Sequence, residues 1–105
     1  MTHAASIVTG MYVPTRVVTN EDRSKWMDTS DEWITERSGI KERRWLEQDD
    51  AGVTVETGAE MGAAAARIAI EEAGIDKNDI DLILYATLSS DVVFPGNGVF
   101  IEDLL

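Results

Sequence analysis

Ile80 to Leu88 is apolar almost without interruption, with Asp81 the exception near its start. A run of that length without alternation predicts a strand covered on both faces, inside a sheet flanked by helices. The preceding pattern is different. From Thr54 or Thr57 to Ala73 small residues dominate, as in Met61-Gly62-Ala63-Ala64-Ala65-Ala66-Arg67-Ile68-Ala69-Ile70. Alanine favours helix, whereas Gly58 and Gly62 each cost about 1 kcal/mol relative to it. Glycines kept at that cost predict a neighbour packed close against the helix. Gly74 predicts where it stops, because glycine takes the left-handed conformation beyond a helix end without a Cβ penalty.

The first half of the chain is punctuated by caps. Ser6 to Thr9 reads as a short strand closed by Gly10, followed by an extended turn at Pro14. Thr19 caps a helix of about eight residues, with Asp22 three positions on in the role of glutamate. Thr29 and Glu32 have the Thr-x-x-Glu spacing of a capping box, which predicts a helix over Asp28–Ser38 with Gly39 as its stop. Ile40 to Leu46 reads as a strand, Glu47 to Gly52 as an acidic loop, and Asp76 to Asp79 as a polar turn. Gly98 to Leu105 is apolar and helical in pattern, with no polar tail to close it, so the chain reads as truncated within an element. The β-α-β-α-β order predicts an α/β fold with a largely buried, mixed sheet.

Composition narrows the function. The chain has 105 residues, no cysteine, a formal net charge of −11 and a pI near 4.3. A domain of this size buries a smaller share of its surface than a larger one. Without cysteine, the chain itself can form no disulfide, zinc–thiolate site or cysteine nucleophile. The acidic balance argues against nucleic acid, which demands clustered cations. No run approaches a membrane span and Met1 to Ser6 lacks the build of a secretory signal, so the expectation is a soluble, cytoplasmic protein. His3, the single histidine, is expected to be inert, and no metal site is expected.

Against that acidic background, Arg37, Lys41, Arg43 and Arg44 gather four of the nine lysines and arginines. Trp33 and Arg37 are four apart and share one helix face. Two readings stand side by side. A tryptophan on a short amphipathic helix is commonly a core residue, and cations on a strand commonly form a solvated face. A cationic patch beside an indole also suits a ligand with phosphates and a flat ring. Arg43 and Arg44 either extend that field or pair with Glu36, Glu42 or Glu47, and pairing is expected for at least one.

The string DTSDEWI…R.GI.ER, from Asp28 to Arg43, resembles the β-ketoacyl-acyl carrier protein synthase III family of condensing enzymes. The resemblance extends through Gly10 with Tyr12-Val13-Pro14, Thr19-Asn20-Glu21-Asp22, Ala73-Gly74-Ile75, Ile80 to Thr87, and Phe94-Pro95, and so covers nearly the whole chain. It implies part of the N-terminal half of a thiolase-like fold, with layered helices around a mixed sheet. Residues 1–105 would then be one piece of a condensing-enzyme domain, cut before its nucleophile. The implied chemistry is an acyl-coenzyme A-primed decarboxylative Claisen condensation with malonyl carrier protein, in fatty acid or related biosynthesis. The implied partners are acyl-coenzyme A, acyl carrier protein and a second subunit in a homodimer, and no cofactor is implied.

The family's cysteine, histidine and asparagine do not fall within this chain, so no catalytic residue is assigned and the chain alone is expected to be inactive. By resemblance, Trp33 would stack on adenine, Thr29 would hydrogen-bond near it and Arg37 would meet a phosphate. Phe94 would lie on the loop that reaches the partner subunit's acyl pocket; its other reading is a ring covering a core edge. Gly96-Asn97-Gly98 departs from the small Ser and Ala residues common in bacterial initiating enzymes, and Glu102 stands where glutamine is frequent. The rival assignments are another thiolase-superfamily acyl-coenzyme A condensing enzyme and a non-catalytic binding module.

Overall fold

The computed structural model describes residues 7–105, which divide into two compact units. Residues 13–55 form one; residues 7–12 together with 56–105 form the other. The readings of Ser6 and His3 lie outside the described residues.

In the first unit, strand β1 (Arg16–Thr19) runs into helix α1 (Asn20–Ser24), followed by helix α2 (Asp31–Ser38) and strand β2 (Glu42–Trp45). The strands pair antiparallel, with Arg16 opposite Trp45 and Thr19 opposite Glu42. The second strand is shorter than the Ile40–Leu46 segment expected, because β1 offers only four residues to pair with. Val18 on β1 and Ile34 on α2 are the unit's buried apolar side chains. Trp26 stacks on Trp45 with centroids 5.5 Å apart, and the Arg16 guanidinium lies 5.8 Å from the Trp45 ring. Stacking and a cation at the ring face hold the Arg16–Trp45 end of this small sheet to the chain after α1.

Helix α1 begins as expected. The Thr19 hydroxyl accepts from the Asp22 N–H, and the Asp22 carboxylate accepts from the Thr19 backbone. Lys25 completes an ion pair with Asp22 at 2.8 Å. These hydrogen bonds, from Lys25 first and then Thr19, hold the Asp22 carboxyl down at about 2, so the cap stays ionised further into acid than an ordinary aspartate. The helix spans only five residues rather than about eight.

The second unit is built on helix α3 (Gly58–Ala73) and helix α4 (Asn97–Leu104), joined through a 3-10 turn at Lys77–Asp79. Thr57 caps α3 in a capping box with Glu60, and Gly74 ends it at φ 65°. Ala59, Ala63 and Ile101 form the core, with Ile83 and Leu105 packed against it. The close neighbour expected of Gly62 is α4. A Cβ on Gly62 would stand 2.8 Å from Ile101 Cδ1 and 3.0 Å from the Tyr85 ring.

Two expected strands are absent among the described residues. Residues 7–10 carry no strand, and neither do residues 80–88. A strand exists only through ladder partners, and no described segment pairs with either. The 80–88 segment is also not covered on both faces as expected, because only one side of it meets the described core. Ile83 meets the core, while Leu82, Leu84 and Leu88 point outward at 72%, 87% and 109% exposure.

Gly10 packs directly on the backbone of α3. A Cβ there would come within 2.7 Å of the Ala69 nitrogen and closer still to the Ala65 carbonyl oxygen. Backbone in mid-helix cannot move aside, whereas the end of the Ile101 side chain can. Gly10→Ala is therefore expected to destabilise by about 1–3 kcal/mol through overpacking. In Gly62→Ala the helix-propensity gain of about 1 kcal/mol offsets much of the crowding. Urea denaturation followed by circular dichroism checks the ranking, and equal midpoints for the two variants would contradict it.

Candidate functional site

The local chemistry of α2 determines which of its side chains face solvent. Ser30, not Thr29, is its N-cap: the Ser30 hydroxyl accepts from the Trp33 N–H at 3.1 Å. The helix therefore starts at Asp31, not Asp28, and the expected Thr29–Glu32 capping box is not formed. Serine one position later reaches the same kind of free N–H, so the helix needs nothing from Thr29. The Thr29 hydroxyl oxygen is instead buried without a hydrogen-bond partner among the described residues. At the other end Gly39 takes φ 71°, and its N–H reaches the Thr35 carbonyl at 2.8 Å, as expected of a stop.

With those ends set, Ile34 turns inward and Trp33 turns out, 54% exposed. Arg37, one turn along, lays its guanidinium over the indole at 4.8 Å from the ring centroid. The helix brings Trp33 and Arg37 together, and the indole is not a core residue of this unit. A cleft of about 350 Å³ opens beside the start of α2, lined by Asn20, Ser24, Thr29, Asp31 and Lys41 among others.

Asn20 holds this arrangement in place, and the chain's hydrophobic pattern does not reveal it. It is 1% exposed. Its Nδ2 donates to Ile40 O at 2.6 Å and to Asp31 Oδ1 at 2.9 Å, with a longer contact to Thr35 Oγ1 at 3.5 Å. Its Oδ1 accepts from Arg43 Nη1 at 3.2 Å, and its backbone N–H donates to Lys41 O at 3.2 Å. One amide thus ties α1 to both ends of α2 and to β2. Arg44 donates to Pro14 O at 3.1 Å. Neither arginine pairs with Glu36, Glu42 or Glu47 as expected; among the described residues the ion pair is Lys25–Asp22. Two arginines bound to neutral oxygens keep their positive charge uncompensated by a direct carboxylate contact.

In the other unit, Phe94 is 89% exposed and Val93 fully so. The core-edge reading of Phe94 does not hold within this unit. The loop that carries it is held at its base. Asp91 accepts from the Gly58 and Ala59 N–H groups at the start of α3, both at 2.9 Å. Buried Asn97 accepts through Oδ1 from the Ser90 hydroxyl at 2.8 Å and from the Asp91 N–H at 2.9 Å. Asp91 and Asn97 were not singled out from sequence, and the only available signal was polar residues flanking an apolar Val92-Val93-Phe94-Pro95 run.

No protein-family model matches the chain. It is 52% identical over 94 residues to a beta-ketoacyl-[acyl-carrier-protein] synthase III of Vibrio parahaemolyticus, covering 90% of this chain and 28% of that protein. It is 39% identical over its full length to the synthase III of Natranaerobius thermophilus, covering 30% of that protein. Among solved structures, the 3-oxoacyl-[acyl-carrier-protein] synthase III of Aquifex aeolicus matches 92% of this chain with TM-score 0.81 and 42% identity, over 29% of its own length. The priming β-ketosynthase of the R1128 polyketide pathway matches 92% of this chain with TM-score 0.79 and 39% identity, over 28% of its own. The fold is the thiolase-like α/β fold of these enzymes. The chain spans somewhat under a third of the length of the relatives it matches.

Asn20→Ala is expected to strip partners from Asp31, Ile40 O and Arg43 together. Leaving buried polar groups unpaired costs about 1–3 kcal/mol, and the loss should release α2. Thr35→Val removes the 3.5 Å contact and the exposed 3.3 Å hydrogen bond from its hydroxyl to Asp31 Oδ1, and should cost under about 1 kcal/mol. Near-ultraviolet circular dichroism and urea midpoints of both variants check this. Similar midpoints for the two would remove Asn20 from the centre of the unit.

Proposed function

From this homology to a part of β-ketoacyl-[acyl-carrier-protein] synthase III, we propose that residues 13–55 form part of the coenzyme A entrance of a condensing enzyme of that type. Its reaction is an acyl-coenzyme A-primed decarboxylative Claisen condensation with malonyl-acyl carrier protein, serving fatty acid or related biosynthesis. The observation that carries the reading is the exposed Trp33 ring with Arg37 stacked beside it. An indole face stacks a flat base for about 1–3 kcal/mol, and a guanidinium presents a planar fork to phosphate oxygens. The unpartnered Thr29 hydroxyl beside the start of α2 is a further polar group for the same ligand. Uncompensated Arg43 and Arg44 add positive field on the same small unit.

Phe94 then belongs to a loop that lines the acyl pocket of a partner subunit in a homodimer, which its exposure supports. Among the described residues no helix is long and apolar enough to cross a membrane. That fits a cytoplasmic enzyme acting on water-soluble acyl carriers. The 105 residues correspond to one piece of the condensing-enzyme domain, and the nucleophilic cysteine of such enzymes has no counterpart in a chain without cysteine.

Trp33→Ala and Arg37→Ala in the complete enzyme are expected to raise KM for acyl-coenzyme A by roughly tenfold to a hundredfold. Their effect on kcat should be much smaller. Contacts to a remote, non-reacting end of the substrate act alike on ground and transition states. Initial-rate kinetics decide the matter: a fall in kcat at unchanged KM would place these residues at the reacting centre instead.

The 105-residue chain by itself should form no acyl-enzyme, because covalent acyl transfer needs a nucleophile activated by a neighbouring base. Incubation with radiolabelled acetyl-coenzyme A should leave no label after denaturation. A stable, stoichiometric thioester or ester would refute this.

A further inference from the structure

We propose that Asp91 is a positioning residue for Phe94, and that its clamp on the start of α3 sets the chain-length selectivity of the acyl pocket that Phe94 lines. The inference rests on the reading of Phe94 as an acyl-pocket residue and assigns what holds that ring in place.

Residues 92–96 form a short loop whose two ends are fastened to each other and to the helix core. At one end both carboxylate oxygens of Asp91 are used: Oδ1 accepts from Gly58 N–H and Oδ2 from Ala59 N–H, each at 2.9 Å. These are first-turn amides of α3, free of intrahelical partners and at the positive end of a sixteen-residue helix. A charge-assisted pair of this kind is about twice as strong as neutral hydrogen bonds. At the other end Asn97, 2% exposed, closes the loop on itself by accepting from Asp91 N–H and Ser90 Oγ. Tyr85 braces the same point, donating to Gly58 O at 3.0 Å.

The tip has no such support. Val93 and Phe94 are 100% and 89% exposed, so among the described residues of this unit little packs against the ring. A side chain that is not held by packing takes its place from the backbone beneath it. That backbone is tied down three residues away, at Asp91. A pocket wall made by one ring discriminates between substrates that differ by a methylene only if the ring stays where it is. Loosening the base of the loop therefore enlarges the pocket in effect without removing the ring.

The test uses the complete enzyme and straight-chain acyl-coenzyme A primers of increasing length, with the ratio of kcat/KM for long over short primers as the readout. Phe94→Ala is expected to raise that ratio by about tenfold or more, the discrimination typical of one methylene in an apolar pocket. Asp91→Ala should raise it in the same direction. The double variant should go no further than Phe94→Ala alone, since a clamp has nothing to position once the ring is gone. A purely structural role for Asp91 would lower kcat/KM for every primer alike, leave the ratio unmoved and overturn the proposal, as would additive effects in the double variant. If Asp91→Ala does not fold, Asp91→Asn, which keeps one acceptor oxygen, should still shift the ratio partway; a folded Asp91→Asn with the parent ratio would overturn it too. An unchanged ratio in Phe94→Ala is a separate result, removing the acyl-pocket reading itself.

Discussion

A single buried amide, that of Asn20, organises the unit that carries the candidate site. It is 1% exposed, and both its donor and its acceptor are engaged. Buried polar groups are costly unless paired, and this one is paired to a helix start, a backbone carbonyl and an arginine on a strand. Residues 13–55 bury little apolar mass to do the same work, with Val18 and Ile34 as their buried apolar side chains. Directional hydrogen bonds replace bulk hydrophobic packing here. That choice leaves the apolar Trp33 ring free to face outward, because the unit does not depend on burying it.

The second unit solves a similar problem with the opposite material. Its core is made of alanines and Ile101, and close approach is bought by glycine at positions 10 and 62. Polar groups appear at its edge, where Asp91 and Asn97 fasten a loop to the helix start. Both units place a polar anchor beneath the segment that carries an exposed aromatic ring: Asn20 beneath the helix of Trp33, and Asp91 beneath the loop of Phe94. Exposed rings make useful contacts only if their backbone is held, and in both cases the holding is electrostatic.

Charge is distributed in keeping with this. Seven of the nine lysines and arginines lie in residues 13–55, whereas the rest of the chain is strongly acidic. Arg43 and Arg44 spend hydrogen bonds on neutral oxygens, so the local cationic character survives folding. In a chain of net charge −11, this is the part best suited to meet phosphates.

Much of this was legible from local sequence because it obeys local rules. The Thr19–Asp22 cap, the Gly39 and Gly74 stops, and the shared face of Trp33 and Arg37 follow from residue type and from spacings of three or four residues, which a helix converts directly into contact, whereas the structure alone chose Thr57 over Thr54 at the start of α3. The family likeness was carried by the same short strings. What local pattern could not decide was competition between neighbours and pairing at a distance. Ser30 displaced Thr29 as cap, since either side chain offers an acceptor and only the chain's path selects one. Residues 80–88 have the composition of a buried strand, but strandhood depends on partners that no described segment supplies. Asn20 and Asp91 act on groups about twenty and thirty residues away, and no periodicity encodes that. Helix faces and glycine stops were set by the sequence itself; which of two neighbouring caps was used and which polar side chains became anchors were decided only when the tertiary structure fixed the chain's path and brought distant donors and acceptors together.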